Sequence, residues 1–240
     1  MIDAILNLLF PVACVLCGSQ VCERRWGAAC PDCWSLLAPL EPPFCPQCGE
    51  PAAAIEGLCG ACRKGEYAFD LARSAFLFND TLREIIHHLK YSDRVSLAQM
   101  LGKLLKQCLD REPFTGDTII PVPLHRAREG DRGFNQAELI ARQLGLPVDS
   151  RLLRRRKNTP SQTGLSRNER QRNLAGAFEV RAGPKLPRTV IVVDDVYTTG
   201  STMHEIARTL KRAGAERVEV LTVARVIRDV QARAGMEVSS

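Results

Sequence analysis

Aromatic residues are scarce in this chain: Phe, Tyr and Trp make up 5% of its 240 residues. So small a share argues against a broad surface for stacking nucleobases. Long apolar runs are missing as well. The opening stretch "MIDAILNLLF" is too short to span a bilayer, and no other run is longer and equally apolar, so no transmembrane segment is expected. That stretch also lacks a basic start and a small-residue cleavage site and carries Asp3, so a secretory signal is not expected. Charge of one sign does not dominate either. A net charge of +6 is a mild bias towards anions, which does not choose among phosphates, acidic lipid and nucleic acid. The length suits one full α/β domain plus a small module.

Cysteine is nearly absent after residue 62, where only Cys108 occurs, and dense before it. Eight of the ten cysteines fall into four C-x-x-C pairs, Cys14/Cys17, Cys30/Cys33, Cys45/Cys48 and Cys59/Cys62. Two thiolates on one tight turn can share a tetrahedral ion, so repeated pairs read as two successive zinc ribbons holding two structural zinc ions. The competing reading is a secreted disulfide scaffold, which the lack of a signal sequence disfavours; a cytoplasmic, reducing setting is expected. Cys22 can replace one of the eight ligands as far as spacing goes. Cys108 lies in an apolar helical pattern and is expected in the core.

Further along, strand-like and helical patterns alternate. "RSAFLF" and "DTIIPVP" read as strands. "TLREIIHHLKY" puts Leu82, Ile85, Ile86 and Leu89 on one helical face behind a capping box of Thr81 and Glu84. A second apolar stripe runs from Leu97 to Leu109, and "NQAELIARQLGL" is a helix ending near Gly145. After "VIVV", the stretch "STMHEIARTLKRAG" has a Thr202/Glu205 capping box and a stripe of Met203, Ile206, Ala207 and Leu210; "RVEVLTVAR" is a last strand. The alternation predicts an α/β domain with a largely parallel sheet. The expected division is an N-terminal helix and double zinc-ribbon module over 1–66, an α/β domain over 67–228 and a flexible tail over 229–240.

In such a sheet, ligands bind beyond the carboxyl ends of the strands. Asp194 and Asp195 stand at such an end, both expected to face solvent, and Thr198, Thr199, Gly200, Ser201 and Thr202 follow at a helix start. The unpaired amides and the dipole of a helix N-terminus favour an anion there. Two carboxylates beside a phosphate would repel it unless the ligand also offers hydroxyl donors. A phosphorylated ribose satisfies both: phosphate on the loop, 2′- and 3′-hydroxyls on the acid pair.

"VIVVDDVYTTGST" resembles the phosphoribosyl-pyrophosphate (PRPP) motif of type I phosphoribosyltransferases. "IIPVPLHRAREGDRGFNQAELIARQL", "RLLRRRKNTPSQTGLSRNERQRNLAGAF" and the paired cysteines resemble the ComF family, which includes GntX-like proteins. The resemblance implies a type I phosphoribosyltransferase fold, a mainly parallel sheet flanked by helices, with an N-terminal cysteine-rich zinc-ribbon module. It further implies PRPP with magnesium as ligand and a pyrophosphate loop at Leu124, His125 and Arg126. The basic segment 154–173 resembles the catalytic hood of amidophosphoribosyltransferase-like enzymes. Arg156, Thr159, Gln162, Arg167 and Arg172 are its candidates.

Three functions stay open on this reading. One is a PRPP-dependent transferase with an unidentified acceptor, acting in natural competence and DNA uptake. Another is a non-enzymatic adaptor that handles single-stranded DNA, with a competence helicase as partner, at the inner face of the membrane. The third is a metabolic enzyme of the amidophosphoribosyltransferase type that lacks a glutaminase domain. No general base announces itself, and no aromatic residue lies between Phe134 and Phe178 to give the basic segment a stacking platform.

Overall fold

The computed structural model describes residues 12–21, 26–52, 57–92, 94–157, 173–183 and 186–227. Two short antiparallel strands, β1 (Val12–Ala13) and β2 (Gln20–Val21), open the first cysteine unit, which continues into helix α1 (Pro31–Ser35). The second cysteine unit ends in the short helix α2 (Gly60–Arg63). Then come β3 (Leu71–Leu77), α3 (Asp80–Tyr91), α4 (Ser96–Arg111), β4 (Thr118–Pro121), α5 (Arg126–Arg132) and α6 (Gln136–Ala141). A hairpin-like pair, β5 (Leu153–Arg155) and β6 (Phe178–Val180), precedes β7 (Thr189–Tyr197), α7 (Ser201–Arg212) and β8 (Arg217–Arg225).

Four strands form a parallel sheet in the order β3-β8-β7-β4. Its two central strands are apolar on both faces, as strands covered on both sides must be. Alternation divides them: Ile191, Val193, Leu221 and Val223 enter one core with α3, α4 and α6. Val190, Val192, Val218 and Val220 enter the other with α7. The apolar stripes of α3 and α7 are buried as the helical periodicity predicts, and Cys108 is buried on α4.

Both cysteine units belong to these cores. The first shares its core with α3 and α4 through Cys30, Cys33, Trp34 and Leu37; the second shares the opposite core with α7 through Cys45, Cys48 and Cys62. The chain between them pairs with the outer edge of β3, where Leu40 N donates to Ala75 O (2.9 Å) and Leu77 N to Ala38 O (2.8 Å). The otherwise open edge is thereby covered.

Two helix starts differ from the sequence reading. Asn79, not Thr81, caps α3 and accepts from Leu82 N at 2.9 Å, because Asp80 and Thr81 already have helical backbone. Gly200 begins α7 in left-handed conformation (φ 75°) with no side-chain cap, and Glu205 turns inward to accept from Gly176 N at 2.8 Å. A carboxylate engaged with the loop after residue 173 is no longer available to close a capping box.

Candidate functional site

The cysteines come together as two sets of four, Cys14, Cys17, Cys30 and Cys33, and Cys45, Cys48, Cys59 and Cys62, with all Sγ atoms of each set within 4.8 Å of one another. The Sγ–Sγ distances are 3.7 Å for Cys14–Cys33, 3.6 Å for Cys17–Cys30 and 3.6 Å for Cys48–Cys59. Tetrahedral zinc with sulfur ligands at about 2.3 Å requires an S···S edge of about 3.8 Å. A disulfide needs about 2.05 Å, so the thiols fit zinc and not cross-links. Each set also has a backbone amide on a sulfur: Cys30 N on Cys14 (3.3 Å) and Cys59 N on Cys45 (3.4 Å). Hydrogen bonds centred on Ser19 draw the Cys17 thiol down to about 6, whereas burial pushes Cys48 up to about 12. Four thiolates that close need a cation among them. Cys22 lies outside the described residues.

The second constellation stands at the carboxyl end of the sheet. Asp194, Asp195, Thr198 and Thr202 line a cleft of about 670 Å³ with Leu124 and five basic residues, Arg83, Lys90, Arg128, Arg132 and Arg155. β7 runs through both acids to Tyr197, so its pleat sends neighbouring carboxylates into different surroundings. Asp194 is half-buried. Asp195 is 4% exposed, and its carboxylate forms an ion pair with Lys90 from the last turn of α3. The expectation that both acids face solvent therefore fails for Asp195: β7 continues past it and α3 covers it.

The pair is electrically split. Burial and the charge of Asp195 raise Asp194 well above the usual carboxylate range. Burial acts the same way on Asp195, but the Lys90 ammonium, a side-chain hydrogen bond shared with Asp194 and a smaller one from Gln136 more than reverse it, so Asp195 stays ionised. Gln136 in turn accepts from Arg132, which lies over the Tyr91 ring at 5.3 Å. Five cations around one firmly ionised carboxylate leave the cleft positive, which removes the objection to an acid pair beside a phosphate loop.

In that loop the Thr199 and Ser201 hydroxyls bond each other (2.7 Å) and are buried, while Thr198 and Thr202 face the cleft. The two buried hydroxyls fix the loop, Ser201 N donating to Thr199 Oγ1 at 3.3 Å, and Thr198 and Thr202 line the cleft at the start of α7, where the helix dipole favours an anion.

The remaining sequence candidates divide between two clefts. Leu124 borders both the acid-pair cleft and a neighbouring one of about 640 Å³, and His125 and Arg126 line the neighbouring one alone. His125 caps α5, its Nδ1 accepting from Ala127 N at 3.3 Å. The neighbouring cleft also holds Arg151, Arg154, Arg155, Arg156 and Arg181, and Arg154 and Arg156 pair with Glu179. Thr159, Gln162, Arg167 and Arg172 lie outside the described residues. Lys90, Gln136 and Arg132 escaped sequence reasoning. For Lys90 a signal existed, since it stands four residues after the buried Ile86, next to the core face of its helix.

A phosphoribosyl transferase domain model matches residues 90–235, and a double zinc ribbon model matches residues 5–63. DNA utilization protein YhgH of Escherichia coli is 37% identical over 229 residues, covering 92% of this chain and 100% of the relative. Competence protein F of Haemophilus influenzae is 31% identical, covering 90% of this chain and 98% of its own length. The chain belongs to the ComF family. Competence protein ComFC of Bacillus subtilis is a more distant member, 28% identical over 84% of this chain and 89% of the relative. The fold is accordingly that of type I phosphoribosyltransferases, preceded by two cysteine clusters that fit structural zinc. Among the described residues, no helix is long and apolar enough to cross a membrane.

Proposed function

We propose that this ComF protein binds PRPP, or another 5-phosphorylated ribose, in the acid-pair cleft, and serves the handling of incoming DNA. The observation that carries this reading is the split acid pair, one carboxylate held by Lys90 and the other left for a hydroxyl, directly before a phosphate loop. The 5-phosphate takes the loop at residues 199–202 and the start of α7, and the ribose hydroxyls take Asp194, with Asp195 held behind it by Lys90. In this reading residues 1–66 carry zinc, residues 67–228 bind the ligand and residues 229–240 take no part.

Magnesium enters with the pyrophosphate of PRPP. With Asp195 committed to Lys90, the acid pair is no dication cage of its own, and the metal's contribution is to neutralise pyrophosphate charge. If transfer occurs, an acceptor atom bonds to C1 of ribose as the bond from C1 to the pyrophosphate oxygen breaks. The protein positions the sugar, and Arg128, Arg132 and Arg155 receive the departing negative charge.

A second reading, single-stranded DNA handling, is favoured by the arginine-lined cleft across the loop from the ligand site. Its contacts would be to the phosphate backbone, because the basic segment has no aromatic residue. Calorimetric titration of PRPP with magnesium into wild type and Asp194→Asn tests the first reading. The substitution is expected to weaken binding by about 1.5–3 kcal/mol, the scale of one charge-assisted hydrogen bond. Equal affinities would remove the ribose assignment, and turnover against a panel of amines and bases decides between binding and transfer.

A further inference from the structure

The second cysteine unit reaches the phosphate loop by two routes. The first begins at Cys48, whose carbonyl accepts from Arg225 Nη1 at 2.8 Å. Arg225, the last residue of β8, is 1% exposed, and its other terminal nitrogen donates to Glu50 two residues past the knuckle. Its guanidinium lies over the Tyr197 ring, 4.2 Å from the centroid. Tyr197 is the last residue of β7 and lies directly under the loop. A Cβ on Gly200 would come within 2.2 Å of the Tyr197 hydroxyl oxygen and 2.8 Å of Tyr67 Cε1, so the glycine backbone rests on both rings. Only glycine fits that contact and the left-handed backbone together.

The second route leaves the knuckle after Cys62. Tyr67 stacks on Phe69 (ring centroids 4.9 Å apart) and its hydroxyl donates to Thr199 O at 3.5 Å. Ala68 N donates to His204 Nδ1 (3.2 Å) in the first turn of α7. The knuckle is itself fixed to the sheet: Gly49, at φ 70°, sits so close that a Cβ would meet Ala72 O at 2.6 Å.

A buried guanidinium is costly unless its charge and donors are answered. Arg225 has one carboxylate, one knuckle carbonyl and one aromatic face, and two of these three belong to the second cysteine unit. If that unit opens, Arg225 loses the partners that hold it against Tyr197. The four thiols fit zinc, so metal at this ribbon and order in the loop favour the same state.

We infer that the second ribbon, through Arg225 and Tyr197, sets the geometry of the phosphate loop, so that zinc at Cys45, Cys48, Cys59 and Cys62 is coupled to anion binding at residues 198–202. Arg225 and Tyr197 are positioning residues, since neither lines the ligand cleft. The inference rests on the loop being the phosphate site, and coupling between two sites is reciprocal.

The test uses the zinc-loaded full chain and a chelator of known affinity. At fixed free zinc, cysteine alkylation read by mass spectrometry gives the occupancy of each ribbon separately. Saturating ribose 5-phosphate is expected to raise the zinc affinity of the second ribbon at least about five-fold, the low end of ordinary coupling, and to leave the first unchanged. Arg225→Met is expected to abolish that difference with both ribbons still loaded, and Arg225→Lys to restore part of it. Equal effects on the two ribbons, or none despite measurable ligand binding, would overturn the coupling. Hydrogen exchange of the 199–202 amides is read on the same wild-type protein without sugar. About ten-fold faster exchange on stripping the second ribbon supports the coupling even if ribose 5-phosphate does not bind, a result that would count against the ligand assignment alone. Unchanged exchange there refutes the coupling whatever the ligand, and it does so even if the Arg225 variants fail to fold.

Discussion

The two cysteine units have the same ligands at similar spacing and rest on opposite sides of the sheet. The first shares its core with α3 and α4, where Asn79 Nδ2 donates to Leu36 O at 3.0 Å; α3 is the helix whose last turn carries Lys90 to Asp195. The second lies under β7 and the start of α7, against the loop at residues 198–202. A zinc knuckle is a small rigid clip, and what it controls depends on where it is fastened. Here one clip backs the helix that tunes the acid pair, and the other backs the loop proposed above to take the phosphate.

Removing each clip in turn should have the greatest consequence. Cys45→Ser with Cys48→Ser, and Cys14→Ser with Cys17→Ser, should each drop the metal content by one zinc. Each should also destabilise the chain by several kcal/mol, because metal binding to a ribbon is folding energy. The difference between them is the informative part. Per folded molecule, affinity for ribose 5-phosphate should fall at least about five-fold in the first variant and far less in the second, by the ordinary scale of coupling. Elemental analysis, denaturant melts and calorimetry together check it.

Next in size is Lys90→Met, which strands a buried carboxylate and should cost about 3 kcal/mol near neutral pH. The sign with pH follows from Asp195. Its folded pKa lies below the unfolded value in wild type, so the pair's stabilisation is present above the unfolded carboxylate range and fades as pH falls through the folded value. Without Lys90 that carboxyl is easier to protonate, so the penalty should shrink on acidification. Urea melts of wild type and variant from pH 7 to pH 4 would show the gap narrowing.

Asp194 should behave in the opposite way. Its folded pKa is raised, so relative to the unfolded chain it costs stability as pH rises towards and through that value. Asp194→Asn should be neutral or stabilising at pH 7, because the amide does not have to be kept protonated against solvent to fold. Lost stability in thermal melts at pH 7 would contradict the split. The smallest effect expected is on ligand affinity in wild type. A sugar that needs Asp194 ionised should release a proton on binding and bind more tightly as pH rises, measurable by calorimetry in buffers of different ionisation enthalpy.

The architecture was legible because its signals are local. The apolar run of β7, the stripe of α7 and the spacing of eight cysteines each depend on near neighbours. The acid pair and the loop were legible for the same reason. Lys90 and Arg225 were not, because their roles come from partners 105 and 177 positions away, Asp195 and Cys48. Their charges look like those of any surface lysine or strand-ending arginine. The unequal treatment of Asp194 and Asp195 is equally invisible in sequence, since adjacent identical residues differ only in what the folded chain brings to them.

In the proposed site the acid pair reads ribose hydroxyls while the loop reads the phosphate. Titrating the unmodified, zinc-loaded protein with ribose 5-phosphate and with 2-deoxyribose 5-phosphate tests it without altering a residue. The deoxy sugar is expected to bind more weakly by about 1.5–3 kcal/mol, roughly ten- to 150-fold, because one hydroxyl donor to a carboxylate is gone. Equal affinity for the two sugars would contradict it.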